Sequence, residues 1–416
     1  MHPVRLAVIG AGSRGTGYAA YAAAHPDQAQ VVAVAEPRAF YRDRLAREHR
    51  IPSERVFADW REAAAAPRLA DAAIIATQDA VHVEPAEAFA GRGYHLLLEK
   101  PMAPDEDGCR RIHRAVTDAG ILFAVCHVMR YTAYTRRLKA LLEAGAIGDL
   151  VSLQHLEPVG YWHQAHSFVR GNWRNERESS PMLLAKSCHD LDWLRHVMGV
   201  PCERVSSFGS LKHFRREEKP AAAGDATRCL DCPCEATCPY SARRIYLGRV
   251  ARGQTGWPVD VLTPEVSEVT VTEALRTGPY GRCVYECDND VVDHQVVNLL
   301  FAGGRTAAFT MTAFNLGGHR RTRLFGTRGE IAGDGVCLEV TDFLTDRTEV
   351  IDTAAADGSI LGGHGGGDYG LMQSFVAAVA AGDQSRVMSG PDETLETHLM
   401  VFAAERSRRQ GTVESP

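Results

Sequence analysis

The chain has 416 residues, 45% of them hydrophobic and 24% charged, with a formal net charge of -6. That balance belongs to an ordinary soluble globular protein, and it argues against a nucleic acid or an acidic membrane surface as partner. No apolar run is long enough to span a bilayer, and a first strand beginning at the fourth residue leaves no room for a signal peptide ahead of it.

The length predicts two domains. Residues 4–9 form a short apolar run that stops at Gly10-Ala11-Gly12-Ser13-Arg14-Gly15, and an alanine-rich helical stretch follows over 16–24. A buried parallel strand opening on a G-x-G-x-x-G turn is the pattern of a dinucleotide-binding loop. Gly10 allows the tight turn, Gly12 lets a diphosphate approach the backbone, and Gly15 lets the helix pack on the strand. Ser13 and Arg14 sit in the same loop, where free N–H groups and the positive end of the helix dipole would face phosphate. The second strand, 31–35, ends in Glu36, the expected place for a ribose-binding carboxylate. That acid favours NAD. Arg38, two residues on, keeps NADP open.

Residues 38–49 then read as a charged helix, 72–77 as a buried strand, and 82–91 as a helix ended by glycine. Residues 94–98 read as a strand running into Glu99-Lys100-Pro101, 105–119 as a helix, and 121–125 as a further strand. Strands alternating with helices predict a doubly wound parallel sheet, a Rossmann domain over residues 1–127. Ligands of such sheets lie beyond the carboxyl ends of the strands. Gly10, Glu36, Thr77, Glu99 and Lys100 fall there.

The pattern changes over 128–416. Strand candidates at 151–157, 205–210, 291–301, 306–312, 322–325 and 336–340 alternate and are joined by turns. They predict an α+β domain with a mostly antiparallel, open-faced sheet. Helices are expected at 136–143, 369–381 and 393–408. A polar stretch leads into a cysteine-rich insertion at about 211–285. The glycine-dense run 362–368 reads either as a plain loop or as one approaching a ligand with His364 or Asp368.

An amino-terminal G-x-G-x-x-G domain, then E-K-P after the fifth strand, then the H-D-x-D segment His189-Asp190-Leu191-Asp192 opening a helix in a second domain: together these resemble the Gfo/Idh/MocA oxidoreductase family. The resemblance implies NAD or NADP, sugar-like or cyclitol substrates, and homo-oligomers, dimers or tetramers, formed through the open sheet face. It puts Lys100 on the family's E-K-P lysine, which touches nicotinamide and the reacting hydroxyl. It puts His189 on the catalytic histidine. Thr77, His82 and Glu99 fall where the family packs against the nicotinamide ribose. Many members carry an aspartate four residues before the histidine. This chain has Ala185 there, then Lys186, which points to altered substrate chemistry.

On that reading His189 is the base and Lys100 polarises the hydroxyl. Lys186 would hold a second hydroxyl or an anionic group. Lys186, His189 and Asp192 are three apart and share one helical side, opposite a stripe of Leu184, Leu191, Leu194 and Met198. From pattern alone that side reads as a solvated polar face.

The segment 161–175 is dense in aromatic rings, histidine and arginine. Trp162, His166, Arg170, Trp173 and Arg174, joined by Tyr131, are the expected substrate-recognition set, suited to an anionic sugar. A surface loop packed by its own tryptophans is the alternative. Cys229, Cys232, Cys234 and Cys238 are spaced C-x2-C-x-C-x3-C with Pro239 following. They suggest a tetrahedral zinc or an iron–sulfur cluster, with Cys283 or Cys287 as remote ligands. The insertion looks short of apolar residues, so a metal would supply stability. The remaining cysteines, isolated in apolar or helical contexts, fit reduced thiols in a cytoplasm.

Two enzymatic functions follow. One is net NAD-dependent oxidation of a ring hydroxyl on a sugar or glycoside. The other is an NAD-dependent glycoside hydrolase that oxidises C3 transiently, eliminates, adds water and reduces again, for instance on a sulfo-sugar glycoside. A dinucleotide-binding sensor without catalysis is the third reading, against which Lys100 and His189 stand.

Overall fold

A computed structural model describes residues 2–354 and 363–416. Gly362 and the side chain of His364 lie outside the described residues.

Six parallel strands form the first sheet: β1 (Val4–Ile9), β2 (Ala29–Ala35), β3 (Val56–Phe57), β4 (Ala72–Ile75), β5 (His95–Leu98) and β6 (Phe123–Val125). Their order is β3-β2-β1-β4-β5-β6. The chain reverses direction across the sheet between β1 and β4, which opens the crevice where a dinucleotide lies. β1 is apolar on both faces because both are covered. Leu6 and Val8 enter one core, and Ala7 and Ile9 the other. The two-residue β3 is too short to leave a periodic signal, and the sequence reading missed it.

The second sheet has eight strands: β7 (Leu150–Pro158), β8 (Cys202–Ser210), β9 (His294–Phe301), β10 (Arg305–Thr312), β11 (Arg321–Gly326), β12 (Gly329–Gly333), β13 (Cys337–Asp342) and β14 (Arg347–Asp352). Their order is β14-β13-β12-β11-β7-β10-β9-β8. Only the β7–β10 pairing is parallel; the rest are antiparallel. Alternation explains the open face. Val297, Leu299 and Phe301 of β9 point into the core with helix Met182–Met198, while Val296, like Phe208 on the adjacent β8 and Val151 on β7, is exposed.

Two features depart from a plain division at residue 127. Helix Gly367–Ala381 returns to the first sheet, where Leu371, Met372, Phe375 and Val376 complete its core. The insertion joins β8 to β9 through short helical turns and has its own core of Phe214, Tyr240, Ile245, Tyr246, Val259, Leu275 and Val284. The expectation that it lacks apolar support is therefore wrong. Its hydrophobic residues are scattered without period, so they are easy to undercount. All eleven cysteines are free thiols, and no described helix is long and apolar enough to cross a membrane.

Candidate active site between the two domains

The glycine loop is built as its spacing requires. Gly10 has φ +94°, and a Cβ there would lie 2.4 Å from the Ala76 carbonyl oxygen; one on Gly15 would lie 1.9 Å from that of Gly10. At Gly12 a Cβ would meet nothing closer than the Arg38 guanidinium at 3.4 Å. Helix Ser13–Ala24 has no side-chain cap, so its first amides remain available to an anion. The residues present fit a dinucleotide diphosphate.

Glu36 accepts the Ala11 N–H at 2.9 Å and the fork of Arg38 at 2.7 and 3.0 Å. Burial opposes its charge, but these hydrogen bonds hold the carboxyl below its usual range. Glu99 accepts from the Tyr18 hydroxyl at 2.7 Å and from its neighbour's N–H, that of Lys100, at 2.8 Å. Arg14 ion-pairs with Glu99 and reaches Asp368 at 2.6 Å. The Thr77 hydroxyl bonds back to the Val81 carbonyl at 3.3 Å.

Lys100 leaves the end of β5 and crosses the cleft. Its Nζ donates to the Ala185 carbonyl at 2.7 Å, one helical turn before His189 on helix Met182–Met198. The His189 ring is nearly buried and meets the ring of His127 edge-on, centroids 5.9 Å apart. His127 is fully buried, 3.5 Å from Asp192. Burial, partly offset by Asp192, pushes its imidazole down to about 3.

Lys186 lies 3.0 Å from the buried carboxylate of Glu157 on β7. Arg320 also ion-pairs with Glu157, at 2.7 Å, and with Asp190, at 2.8 Å. Asp190 bonds to His155 at 3.0 Å. Burial, then the fields of Lys186, His166 and Lys100, hold His163 well below the usual imidazole range, so a neutral ring stands within reach of both lysines' fields. Glu157, His163, Arg320 and His127 were not picked out from sequence. The one available signal was Glu157, an acid closing an otherwise half-buried strand.

Several expected ligand contacts are corrected. Asp192 does not face the cleft with Lys186. It is fully buried, gripped by Arg130 at 2.6 and 2.7 Å and by Thr397 at 3.1 Å. Fourteen of that helix's 17 residues are buried, so its polar side is a satisfied internal network and not a solvated face. The Tyr131 hydroxyl bonds to Ser389 in the core. His82, completely buried, ties to the Pro101 carbonyl at 2.8 Å and braces the E-K-P turn from behind. His166 bonds to Tyr246 and stacks on Tyr280. Arg170 is buried against backbone carbonyls of the insertion. Arg174 pairs with Asp288. These groups knit the loop to the insertion. Trp162, half-buried, lies under Arg249 and against Trp257. Trp173 alone of the set spans the cleft, its indole N–H donating to Asp79 at 3.1 Å.

The cysteine expectation is also corrected. Among the described residues no three Cys, His, Asp or Glu side chains meet at the spacing of a single metal ion. Cys229, Cys232, Cys234 and Cys238 lie on short turns around a cavity and do not converge on a point.

A glycine-loop Rossmann sheet facing a lysine and a histidine across an interdomain cleft defines the class: an NAD-binding oxidoreductase fold. The chain belongs to the Gfo/Idh/MocA family. The model of that oxidoreductase family's NAD-binding Rossmann fold matches residues 4–127, and that of its C-terminal alpha/beta domain matches 139–414. It is 27% identical over 206 residues to 2,7-anhydro-N-acetylneuraminate hydratase of Escherichia coli (strain K12), covering 50% of this chain and 52% of the relative. It is 27% identical over 237 residues to levoglucosan dehydrogenase of Pseudarthrobacter phenanthrenivorans, covering 54% of this chain and 58% of the relative. The matches thus span about half the length of these curated relatives. A structure of levoglucosan dehydrogenase in complex with NADH and L-sorbose superposes with a TM-score of 0.73 at 20% identity, covering 100% of this chain and 99% of the other.

Proposed function

We propose that the protein is an NAD-dependent oxidoreductase acting on a ring hydroxyl of a sugar or glycoside. The observation that carries this is the Lys100 ammonium anchored on the Ala185 carbonyl, one turn from the His189 imidazole. In the reaction His189 takes the hydroxyl proton, and the Lys100 ammonium favours the negative charge that develops on that oxygen. Bound NAD would supply the acceptor for the hydride on the carbon that bears this hydroxyl. Gly10, Gly12, Ser13, Arg14 and Gly15 would hold its diphosphate. Glu36 would bind the adenosine ribose and repel a 2′-phosphate, which supports NAD over NADP. Thr77 and Glu99 would border the nicotinamide ribose. Trp162 and Trp173 offer ring faces to a sugar.

A second reading is a redox-neutral glycosidase, and the Lys186–Glu157 pair favours it. A ketone at C3 acidifies the proton on C2. Cleavage then needs a base for that proton and an acid for the departing C1 oxygen, and a carboxylate–ammonium pair beside the first catalytic pair supplies both. Incubation with NAD and a panel of sugars and aryl glycosides separates the two. Stoichiometric NADH supports the dehydrogenase; aglycone release with catalytic NAD supports the glycosidase. Neither product with any substrate class, despite bound NAD, would leave only the sensor. The exposed face of the eight-stranded sheet, with Val151, Phe208 and Val296, is the surface on which a homo-oligomer would form, and light scattering reads its mass.

A further inference from the structure

The insertion brings a large apolar ring to the surface beside a residue of the catalytic cleft. Trp257 is 48% exposed. The chain is not slack there. Pro258 and Val259, which follow it, are buried, and Val259 belongs to the insertion's own core. Edges fix the indole. It meets the His163 and His166 rings edge-on, with centroids 5.0 and 5.4 Å apart. It leans on Trp162 at 58°, centroids 5.3 Å apart. Among the described residues no ring stacks flat on it. Trp162 is fixed in turn: the Arg249 guanidinium lies over its ring at 4.3 Å and donates to the Ile245 carbonyl at 2.8 Å.

An exposed apolar side chain by itself means little. Here its place gives it meaning. His163, which touches Trp257, lies in the fields of Lys186 and Lys100, and Lys100 ends one helical turn from His189. The tryptophan of the insertion is thus one imidazole away from the groups that handle the hydroxyl. Two rigid indoles at a tilt give a ligand broad apolar area at little cost in side-chain entropy. We propose that Trp257 and Trp162 form a subsite for the group attached to the reacting sugar, and that this group is an aryl ring. The assignment rests on the reading of the cleft as a site for a sugar ring hydroxyl, and it narrows the substrate to an aryl glycoside. A second sugar fits less well, because it needs polar partners and those beside Trp257 are taken. His166 bonds to the Tyr246 hydroxyl at 2.8 Å, and Arg249 is held on its carbonyl. A flat apolar ring asks for no such partners. It would cover the open face of the indole and leave the sugar to Lys100, Lys186 and His189.

The test compares aglycones on one sugar. Full-length protein with NAD is given p-nitrophenyl α- and β-hexosides, each beside the methyl glycoside and a disaccharide of the same sugar. In Trp257→Ala the ratio of KM for the p-nitrophenyl glycoside to KM for the methyl glycoside should rise about 10-fold, the scale of one lost aromatic contact. Trp257→Phe should recover most of it. Circular dichroism checks that both variants fold. An equal rise for the two glycosides would make Trp257 a structural residue, and a larger rise for the disaccharide would overturn the aryl assignment. Saturation-transfer NMR reads the subsite without turnover. Protons of the p-nitrophenyl ring should be saturated in NAD-loaded wild type and lose most of that signal in Trp257→Ala. A signal unchanged in the variant, absent from the wild type, or as strong with p-nitrophenol alone would overturn the proposal. Should no glycoside or sugar be turned over, the ring-hydroxyl reading fails by itself, and the NMR result still decides the subsite.

Discussion

The ammonium of Lys100 lies 2.7 Å from the carbonyl oxygen of Ala185. A lysine of the first domain thus ends on the helix of the second that carries His189, and where many family members have a carboxylate side chain its hydrogen bond among the described residues is to backbone. A carbonyl holds the ammonium in place without neutralising it, so its charge remains available to a substrate oxygen. Lys100→Met keeps the stem and removes the charge. We expect kcat to fall about 10²–10³-fold, the scale for losing one charge-stabilising donor, with a smaller change in KM. A raised KM with kcat unchanged would show that the lysine only binds.

His189→Asn removes the base and keeps a polar side chain of similar reach. The expected loss in turnover is about 10²–10⁴-fold. Calorimetric NAD affinity should stay as in the wild type, because the glycine loop is untouched. Unchanged turnover would remove the imidazole from the reaction.

Glu157 is buried between Lys186 and Arg320. Glu157→Gln leaves both cations short of an anion, although Arg320 keeps Asp190. Urea unfolding should show a loss of about 3 kcal/mol, the lower end for breaking a buried pair. Losing the carboxylate also releases the Lys186 ammonium from its partner, so kcat/KM should fall. Activity equal to the wild type would place Lys186 outside the chemistry.

The first sheet was legible because its strands are covered on both faces, so β1, β2, β4 and β5 read as apolar runs with at most one polar residue near the start. β12 was not legible. Gly329 and Gly333 bound a five-residue strand with little pattern of its own, and pairing with β11 and β13 decides it. At the site, Lys100 and His189 were found through the family resemblance. Periodicity alone misassigned Asp192, because three-residue spacing reports a shared side of a helix and not what covers that side. Here Arg130, Met388 and Thr397 arrive from elsewhere in the chain and turn it into core. Arg170 failed for the same reason: an arginine in an aromatic loop reads as a ligand fork until the insertion folds over it.

On the proposed reading Glu36 is the residue that would decide between the two dinucleotides. Its carboxylate is buried, and both oxygens are occupied, by Ala11 and by the Arg38 fork. Glu36→Ala removes the ribose acceptor and frees Arg38. NAD affinity should drop about 10-fold or more, the scale of a lost hydrogen bond to a charged group, and NADP affinity should rise as the arginine turns to the 2′-phosphate. Titration of the variant with both dinucleotides checks this. NAD bound as tightly as before would mean that the ribose is held elsewhere.

Stability should weaken in mild acid, well before the carboxylates titrate. His127, His166 and His398 are each at most 2% exposed. Burial pushes them from the ordinary 6.5 down to about 3, 3 and 4, with Asp192 opposing at His127 and His398. The fold therefore keeps all three neutral where the unfolded chain would protonate them. Between pH 6.5 and 4 the unfolded state binds more protons, so stability is fully present above 6.5 and is lost as the pH falls. Each histidine contributes up to about 1.4 kcal/mol per pH unit in that window. Urea midpoints at pH 7, 6 and 5 should fall with increasing steepness. His127→Leu should reduce the slope by one histidine's share, since neither ring nitrogen of His127 has a hydrogen-bond partner among the described residues to lose. A midpoint unchanged from pH 7 to pH 5 would mean that these imidazoles take up protons inside the fold.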